Sequence, residues 1–263
     1  MRKDKIWAYC CPCLSPPHKK GDFFMSEKTK RADSSSVKIK KLCVAALFCA
    51  LAIATTFLMH FKVLFLTFDV KDAIIAIAGL LFGPLYSIII SLVVSLVEFI
   101  SRGETGFWGL LMDFLSTALF STVCALIYKY KKNIKGAIIG LILASVSMTA
   151  FMLLFNLFIV PIYTPSYTTA AVAKMVPTLF LPFNLTKAVL NSAIVLILYK
   201  PISRAMKATR VIPSSDTGLD SDHKPSKKFT KKDAIIVGIG AALVILSVTV
   251  FVVVLGGEIK LFG

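Results

Sequence analysis

Charge is scarce in this chain, and acid is scarcer. Only 17% of the 263 residues are charged, and 14 Asp or Glu stand against 30 Lys or Arg. Soluble domains carry about 25% charged residues, so this shortage excludes an ordinary soluble protein. Hydrophobic residues make up 57% of the chain, and its mean hydropathy is +0.80. Histidine is rare and scattered (His18, His60, His223), and of the six cysteines (Cys10, Cys11, Cys13, Cys43, Cys49, Cys124) only Cys10 and Cys13 fall at CxxC spacing, with no second pair and no matching histidine cluster. Neither a zinc site nor a disulfide framework is therefore indicated, and no metal or cofactor is expected. No GxxxxGK(S/T) phosphate loop, HExxH or GxSxG occurs. No familiar hydrolytic chemistry is thus encoded, which favours binding or transport over an enzyme.

What is present is a series of apolar blocks near the ~20 residues a helix needs to cross a bilayer. The fold class expected is all-α, a polytopic membrane protein. Membrane helices are predicted at 40–60, 70–83, 84–100, 107–128, 136–160 and 179–200, with a separate seventh at 233–255. Basic residues sort by side. Residues 1–41 hold eleven Lys or Arg, 129–135 hold four and 200–232 hold nine; the alternate loops and the C-terminus hold Lys62, Lys71, Arg102, Lys174 and Lys260. Positive charge marks the cytoplasmic side, so the +16 net charge reports topology rather than nucleic acid. The N-terminus is expected inside, the 61–70, 101–106 and 161–178 loops outside, and the C-terminus outside.

Four regions follow. Residues 1–37 form a basic N-terminal tail and 38–203 a six-helix membrane domain. Residues 204–232, polar and without periodicity, are a flexible linker, and 233–263 carry the seventh helix. Within the tail, the codons for Lys19–Phe24 accommodate a ribosome-binding sequence ahead of Met25. Residues 1–24, with the Cys10/Cys11/Cys13 cluster, are accordingly expected to be leader. The seventh helix carries Gly238, Gly240, Ala241 and Ala242, which suit either a lipid-facing anchor or a close-packing face.

Polar groups inside apolar helices are informative because a charge at the bilayer centre costs about 2.5–3.5 kcal/mol. Lys187 lies eight residues after Leu179, about 12 Å along the predicted helix. Asn184, Lys187 and Asn191 share a face at i, i+3, i+7, and Pro182 lies near the predicted helix start. Asn156, five residues before Pro161, falls in the same outer half. These groups form either a donor cluster in an outward cavity, or a snorkelling lysine among amides that tie helices together. Glu98 is read as solvated or functional, and Asp113 as a pocket residue or a counter-ion of Lys187. Phe61, Phe65, Phe68, Phe107, Trp108, Tyr163 and Tyr167 concentrate on the outer side, as an interfacial belt or as faces for a planar heteroaromatic ligand. Ala46, Ala50 and Ala54 make a small-residue stripe on the first helix, for internal packing or for another helix.

Taken in order, several motifs resemble one family. They are the AxxxA stripe, TFDVKDAIIAIAGLLFGP at 67–84, the TG at 105–106, NLFIVPIYT at 156–164 and LPFNLTKAVL at 181–190. They are similar to the substrate-binding S components of energy-coupling-factor (ECF) vitamin transporters, of the riboflavin-specific, RibU type. The resemblance covers about 38–203 and implies a six-helix S-component bundle plus one extra C-terminal helix. It implies a bacterial cell-membrane protein that captures riboflavin from outside and works with a membrane coupling subunit (T component) and two cytoplasmic ATPases. It implies substrate-binding roles for Asn156, Asn184 and Lys187, with Leu66, Thr67, Phe68 and Asp69 in a loop closing over the site and Asp113 lining it. Ala46, Ala50 and Ala54 would be the docking surface for the coupling subunit. Ile74 and Asp113 depart from the Pro and Asn that many members carry, and the seventh helix lies outside the six-helix pattern. Alternatives are an S component for another vitamin, an intramembrane enzyme using Glu98 and Asp113, or an anchor protein.

Overall fold

The computed structural model describes residues 20–63, 66–102, 106–131, 133–163, 168–208, 231–253 and 258–261. Side chains are described for 39–58, 69–101, 106–131, 133–162, 168–199, 201–202, 234–251 and 253. The Cys10/Cys11/Cys13 cluster, Phe65, the TG at 105–106 up to Thr105, Tyr167 and nearly all of the linker lie outside the described residues. So do the side chains of His60, Phe61, Leu66, Thr67, Phe68 and Tyr163. The chain divides between Ile39 and Lys40 into two units.

Helix α1 (Lys20–Leu58) begins well before the predicted residue 40. No proline or glycine interrupts Asp22–Leu58, and Glu, Lys, Arg and Ala in the polar stretch are good helix formers. In the membrane portion, Ala45, Phe48, Ala52 and Thr56 are buried at helical spacing. Ala46, Ala50 and Ala54 lie on the opposite side and are exposed, so the stripe is not an internal packing seam.

The chain then forms β1 (Met59–Val63) and β2 (Leu66–Phe68), an antiparallel hairpin where the sequence predicts a loop. A third strand, β3 (Glu258–Leu261), returns from the C-terminus and pairs antiparallel with β1, Met59 opposite Leu261 and Lys62 opposite Glu258. The C-terminal end thus sits beside the first interhelical connection.

Helix α2 (Lys71–Phe82) departs most from expectation. Its 12 residues span about 18 Å, too short for a hydrocarbon core of about 30 Å. Every residue from Lys71 to Leu81 is buried, and beyond Lys71 and Asp72 the helix is apolar all round, as an enclosed helix should be. It packs against α3 (Pro84–Arg102), α4 (Gly106–Tyr130) and α7 (Leu181–Ala208). Close approach requires Gly79, where a Cβ would lie 3.0 Å from Ser87 Cβ and 3.2 Å from Ala125 Cβ. Gly83, at φ 105°, turns the chain where L side chains are strained, and Pro84 opens α3 with the ring geometry a first helical residue favours. Among the described residues six helices remain long and apolar enough to cross a membrane: α1, α3, α4, α5 (Ile134–Tyr163), the α6–α7 helix and α8 (Lys231–Val253).

The predicted helix start at 179 is also corrected. Helix α6 (Thr169–Met175) continues through a π-helical turn, Val176–Phe180, into α7. Pro182 is therefore interior rather than initial. It cannot donate to the carbonyl of Thr178, and the widened turn, in which Leu181 N–H bonds the Val176 carbonyl, lies directly before it.

Helix α8 packs on α7, and its phenylalanine Phe251 is buried in a cluster with Val160, Val172, Phe180, Phe183 and Leu190. A Cβ on Gly240 would fall 2.6 Å from Ile197 Cγ1 and 3.3 Å from the Ala193 carbonyl. Gly240 therefore serves packing against this chain's own α7, whereas Gly238 meets nothing and Ala241 and Ala242 are exposed. Gly240→Leu is expected to part the two helices. Cross-linking between cysteines at 190 and 244, both in that apolar cluster, should fall sharply while the other helices stay folded.

Candidate functional site

The start of α2 carries Asp69, Lys71 and Asp72 into the enclosed part of the bundle, all three fully buried. Helix α2 is enclosed by α3, α4 and α7, so the charges of its first turn must be met by groups on those helices. Lys71 was expected in an outer loop. Instead its ammonium contacts Glu98 Oε2 on α3, Asp113 Oδ1 on α4 at 2.8 Å and Asp69 Oδ2 at 3.6 Å. Glu98 is thus an ion-pair partner with its side chain 17% exposed, not a solvated carboxylate. Asp113 is a counter-ion, but of Lys71 rather than Lys187. Ser95 Oγ donates to its second oxygen at 2.6 Å.

Lys187, on α7, faces Asp72 Oδ2 at 3.4 Å and Asp69 Oδ2 at 3.8 Å. It is buried and does not snorkel. Thr117 Oγ1 on α4 donates to Asp72 Oδ1 at 2.7 Å, fixing that carboxylate. The group holds four carboxylates and two ammoniums. That excess makes the hydroxyl donors of Ser95 and Thr117 part of its stabilisation, since buried charge is tolerated only when paired and hydrogen-bonded.

The asparagines divide by role. Asn191 is a structural clamp: its Oδ1 accepts the Ala73 N–H at 3.1 Å, and its Nδ2 donates at 3.1 Å to the carbonyls of Asp69 and Lys187. The Ala73 amide, in the first turn of α2, is thereby shared between Asn191 and the carbonyl of the capping residue Val70 at 3.2 Å. Asn184, one turn before Lys187, donates to the Phe180 carbonyl of the π turn at 2.9 Å, which leaves its Oδ1 for other uses. Asn156, on α5, is 0% exposed and donates to Met152 of its own helix at 2.7 Å. Its Oδ1 has no hydrogen-bond partner. A buried carbonyl left unsatisfied costs about 1–3 kcal/mol, so it marks a place where a donor from outside the chain would be stabilising. Helix α5 packs on α7.

Of the residues read from sequence, the structure brings Lys187, Asp69 and Asp113 into one ion-pair network and keeps Asn184 on the Lys187 face. Asn156 stands apart from that network on its own helix. Phe107 and Trp108 meet edge-to-face, with ring centroids 6.1 Å apart. Sequence reasoning missed Lys71, Asp72, Thr117 and Ser95. The signal available was the Lys-Asp pair at 71–72, immediately ahead of an apolar run closed by Gly83-Pro84 and too short to span.

This architecture has relatives. Residues 40–199 match the family described as "ECF transporter, substrate-specific component". Riboflavin transporter RibU of Staphylococcus aureus (strain TCH60) is 30% identical over 177 residues, 64% of this chain and 93% of that protein. Riboflavin transporter FmnP of Bacillus subtilis (strain 168) is 28% identical over 169 residues, 60% of this chain and 89% of that protein. The solved S component reported under "Structure and mechanism of the S component of a bacterial ECF transporter" aligns with TM-score 0.55 and 29% identity, covering 65% of this chain and 99% of that one. Short enclosed α2, the surrounding spanning helices and the family match over most of the membrane region together show that the chain belongs to the substrate-specific components of ECF transporters.

Proposed function

We propose that the chain is the riboflavin-binding S component of an ECF-type transporter that mediates riboflavin uptake. The observation carrying this reading is the buried, partnerless Oδ1 of Asn156, with Lys187 supplying ammonium donors on α7 and Asn184 an amide one turn before it. A flavin's pyrimidine edge presents an N–H and carbonyl oxygens, the complement of one free amide oxygen and amide or ammonium donors. The naming of both curated relatives as riboflavin transporters supports the same ligand. Asn156, Asn184 and Lys187 would contact the ligand, and Leu66, Thr67, Phe68 and Asp69 would close over it. Asp113 acts one step removed, through Lys71.

Transport needs a coupling subunit and two ATPases. Exposed Ala46, Ala50 and Ala54 on α1 offer the first of these a close-approach face. The chain itself acts without catalysis. Glu98 and Asp113, the carboxylates an intramembrane enzyme would use, both engage Lys71. Residues 38–203 form the substrate-binding membrane domain in the cell membrane, 1–37 a cytoplasmic tail, 204–232 a cytoplasmic linker and 233–263 the additional helix. The Lys and Arg asymmetry supports a cytoplasmic N-terminus. Pairing of β3 with β1 supports a C-terminus on the outer side with the hairpin.

The test is the visible spectrum of the chain purified alone from riboflavin-containing medium. Flavin absorption near a one-to-one ratio is expected. A colourless protein that leaves added riboflavin fluorescence unquenched would overturn the ligand and direct the search to other vitamins.

A further inference from the structure

We propose that the hydroxyl of Thr149 is a further specificity-determining contact, holding a polar group of the ligand at the depth of Lys187. The proposal rests on the reading of Asn156, Asn184 and Lys187 as the riboflavin site.

Thr149, on α5, is 6% exposed, and its Oγ1 has no hydrogen-bond partner among the described residues. A hydroxyl inside a helix ordinarily has the carbonyl of the preceding turn within reach. Thr56, Ser91, Ser121 and Ser145 all use it, donating to the residue four back at 2.6–3.0 Å. Thr149 does not. Its hydroxyl is turned from its own backbone, with a donor and an acceptor both unspent. A buried group left in that state is costly, which is the signal Asn156 also gives.

The two unpartnered oxygens share one face of α5. Ser145, Thr149, Met152 and Asn156 recur at intervals of four, three and four residues, and all are buried. That face is turned to α7, because Ser145 Oγ lies 3.0 Å from Ser192 Oγ. Helix α5 and the α6–α7 helix are consecutive spans and so run in opposite directions. Counting from the serine pair, Thr149 comes level with Ala188, next to Lys187. Asn156 comes level with Leu181, one turn before Asn184. The rise of 1.5 Å per residue puts Thr149 about 10 Å along α5 from Asn156.

Polar groups thus meet the ligand at two depths, Asn156 with Asn184 and Thr149 with Lys187. Met152 lies between them on α5, a polarisable side chain suited to the flat face of an aromatic ring. Lys187 only donates, whereas Thr149 can also accept, so the pair suits a ligand hydroxyl or the edge of a heteroaromatic ring. Riboflavin offers both, on its ribityl chain and on its ring. A site that provides a buried hydroxyl for such a group discriminates against ligands lacking it, because the hydroxyl is then left unpaired.

The test is Thr149→Val, which keeps the branched shape and removes the hydroxyl, beside Thr149→Ser, which retains it. Riboflavin affinity, read by fluorescence quenching, should fall about tenfold in the first and stay near native in the second. The thermal midpoint of empty Thr149→Val should hold or rise, since the lost hydroxyl had no partner. Lumiflavin, the ring without the hydroxylated chain, locates the contact. Equal losses for both ligands place it on the ring, and a loss for riboflavin alone places it on the chain. Native affinity for both ligands in Thr149→Val would overturn the proposal. So would an equal loss in Thr149→Ser, or a loss accompanied by a lower midpoint, which marks a structural role. A native chain that binds no riboflavin overturns the ligand reading and this contact with it, whereas native binding matched by Thr149→Val overturns the contact alone.

Discussion

Lys187→Met is expected to weaken riboflavin binding by about 1–3 kcal/mol for each ligand acceptor it leaves unsatisfied, roughly 5- to 150-fold in Kd. It should also destabilise the ligand-free protein. Asp72 and Asp69 both lose a buried cation, and breaking a buried ion pair costs about 3–5 kcal/mol. The two effects separate in a double variant. Adding Asp72→Asn should restore part of the thermal midpoint without restoring affinity. Asn156→Leu sets the contrast. Its Oδ1 is already unpaired, so its removal takes away an unsatisfied buried acceptor. Affinity should fall while the midpoint of the empty protein holds or rises, as seen by fluorescence quenching beside thermal unfolding. Unchanged affinity in both variants would refute the site assignment.

Ala50→Phe is expected to do the reverse: binding kept, coupled uptake abolished. Ala50 is exposed on α1, on the side away from buried Phe48 and Ala52. A phenyl ring there disturbs no internal contact, yet it holds off a helix that must approach closely on the small residues. Flavin retention on purification should match the native chain. Uptake in cells supplying the coupling subunit and ATPases should drop to background. Full uptake would remove the stripe from the docking surface.

Much of the architecture is legible without coordinates. Predicted helices at 84–100, 107–128 and 136–160 meet observed elements at Pro84–Arg102, Gly106–Tyr130 and Ile134–Tyr163. The N-terminal extension of α1 and the start at Thr169 were missed for opposite reasons. The first is polar and so carries no membrane signal. The second passes through Pro177 and Pro182, which read as a boundary until the π turn accommodates them. The hairpin was missed because its two strands gain order by pairing with each other and with β3, almost 200 residues away in the chain.

By itself, the sequence determined that this protein is helical in the membrane, where its apolar blocks fall, and that Lys187 with its neighbouring amides is out of place in an apolar helix. Those are local properties: block length times 1.5 Å per residue, and the cost of one polar group among apolar neighbours. Which charge meets which was decided only by the tertiary structure. Lys71 finds Glu98 across 27 residues, and Asn191 clamps Ala73 across 118. No periodicity encodes such partners, because they depend on which helices pack together and at what height. The short, enclosed α2 is the pivot of that outcome, bringing a lysine and two aspartates into a place where each must find an opposite charge or a donor.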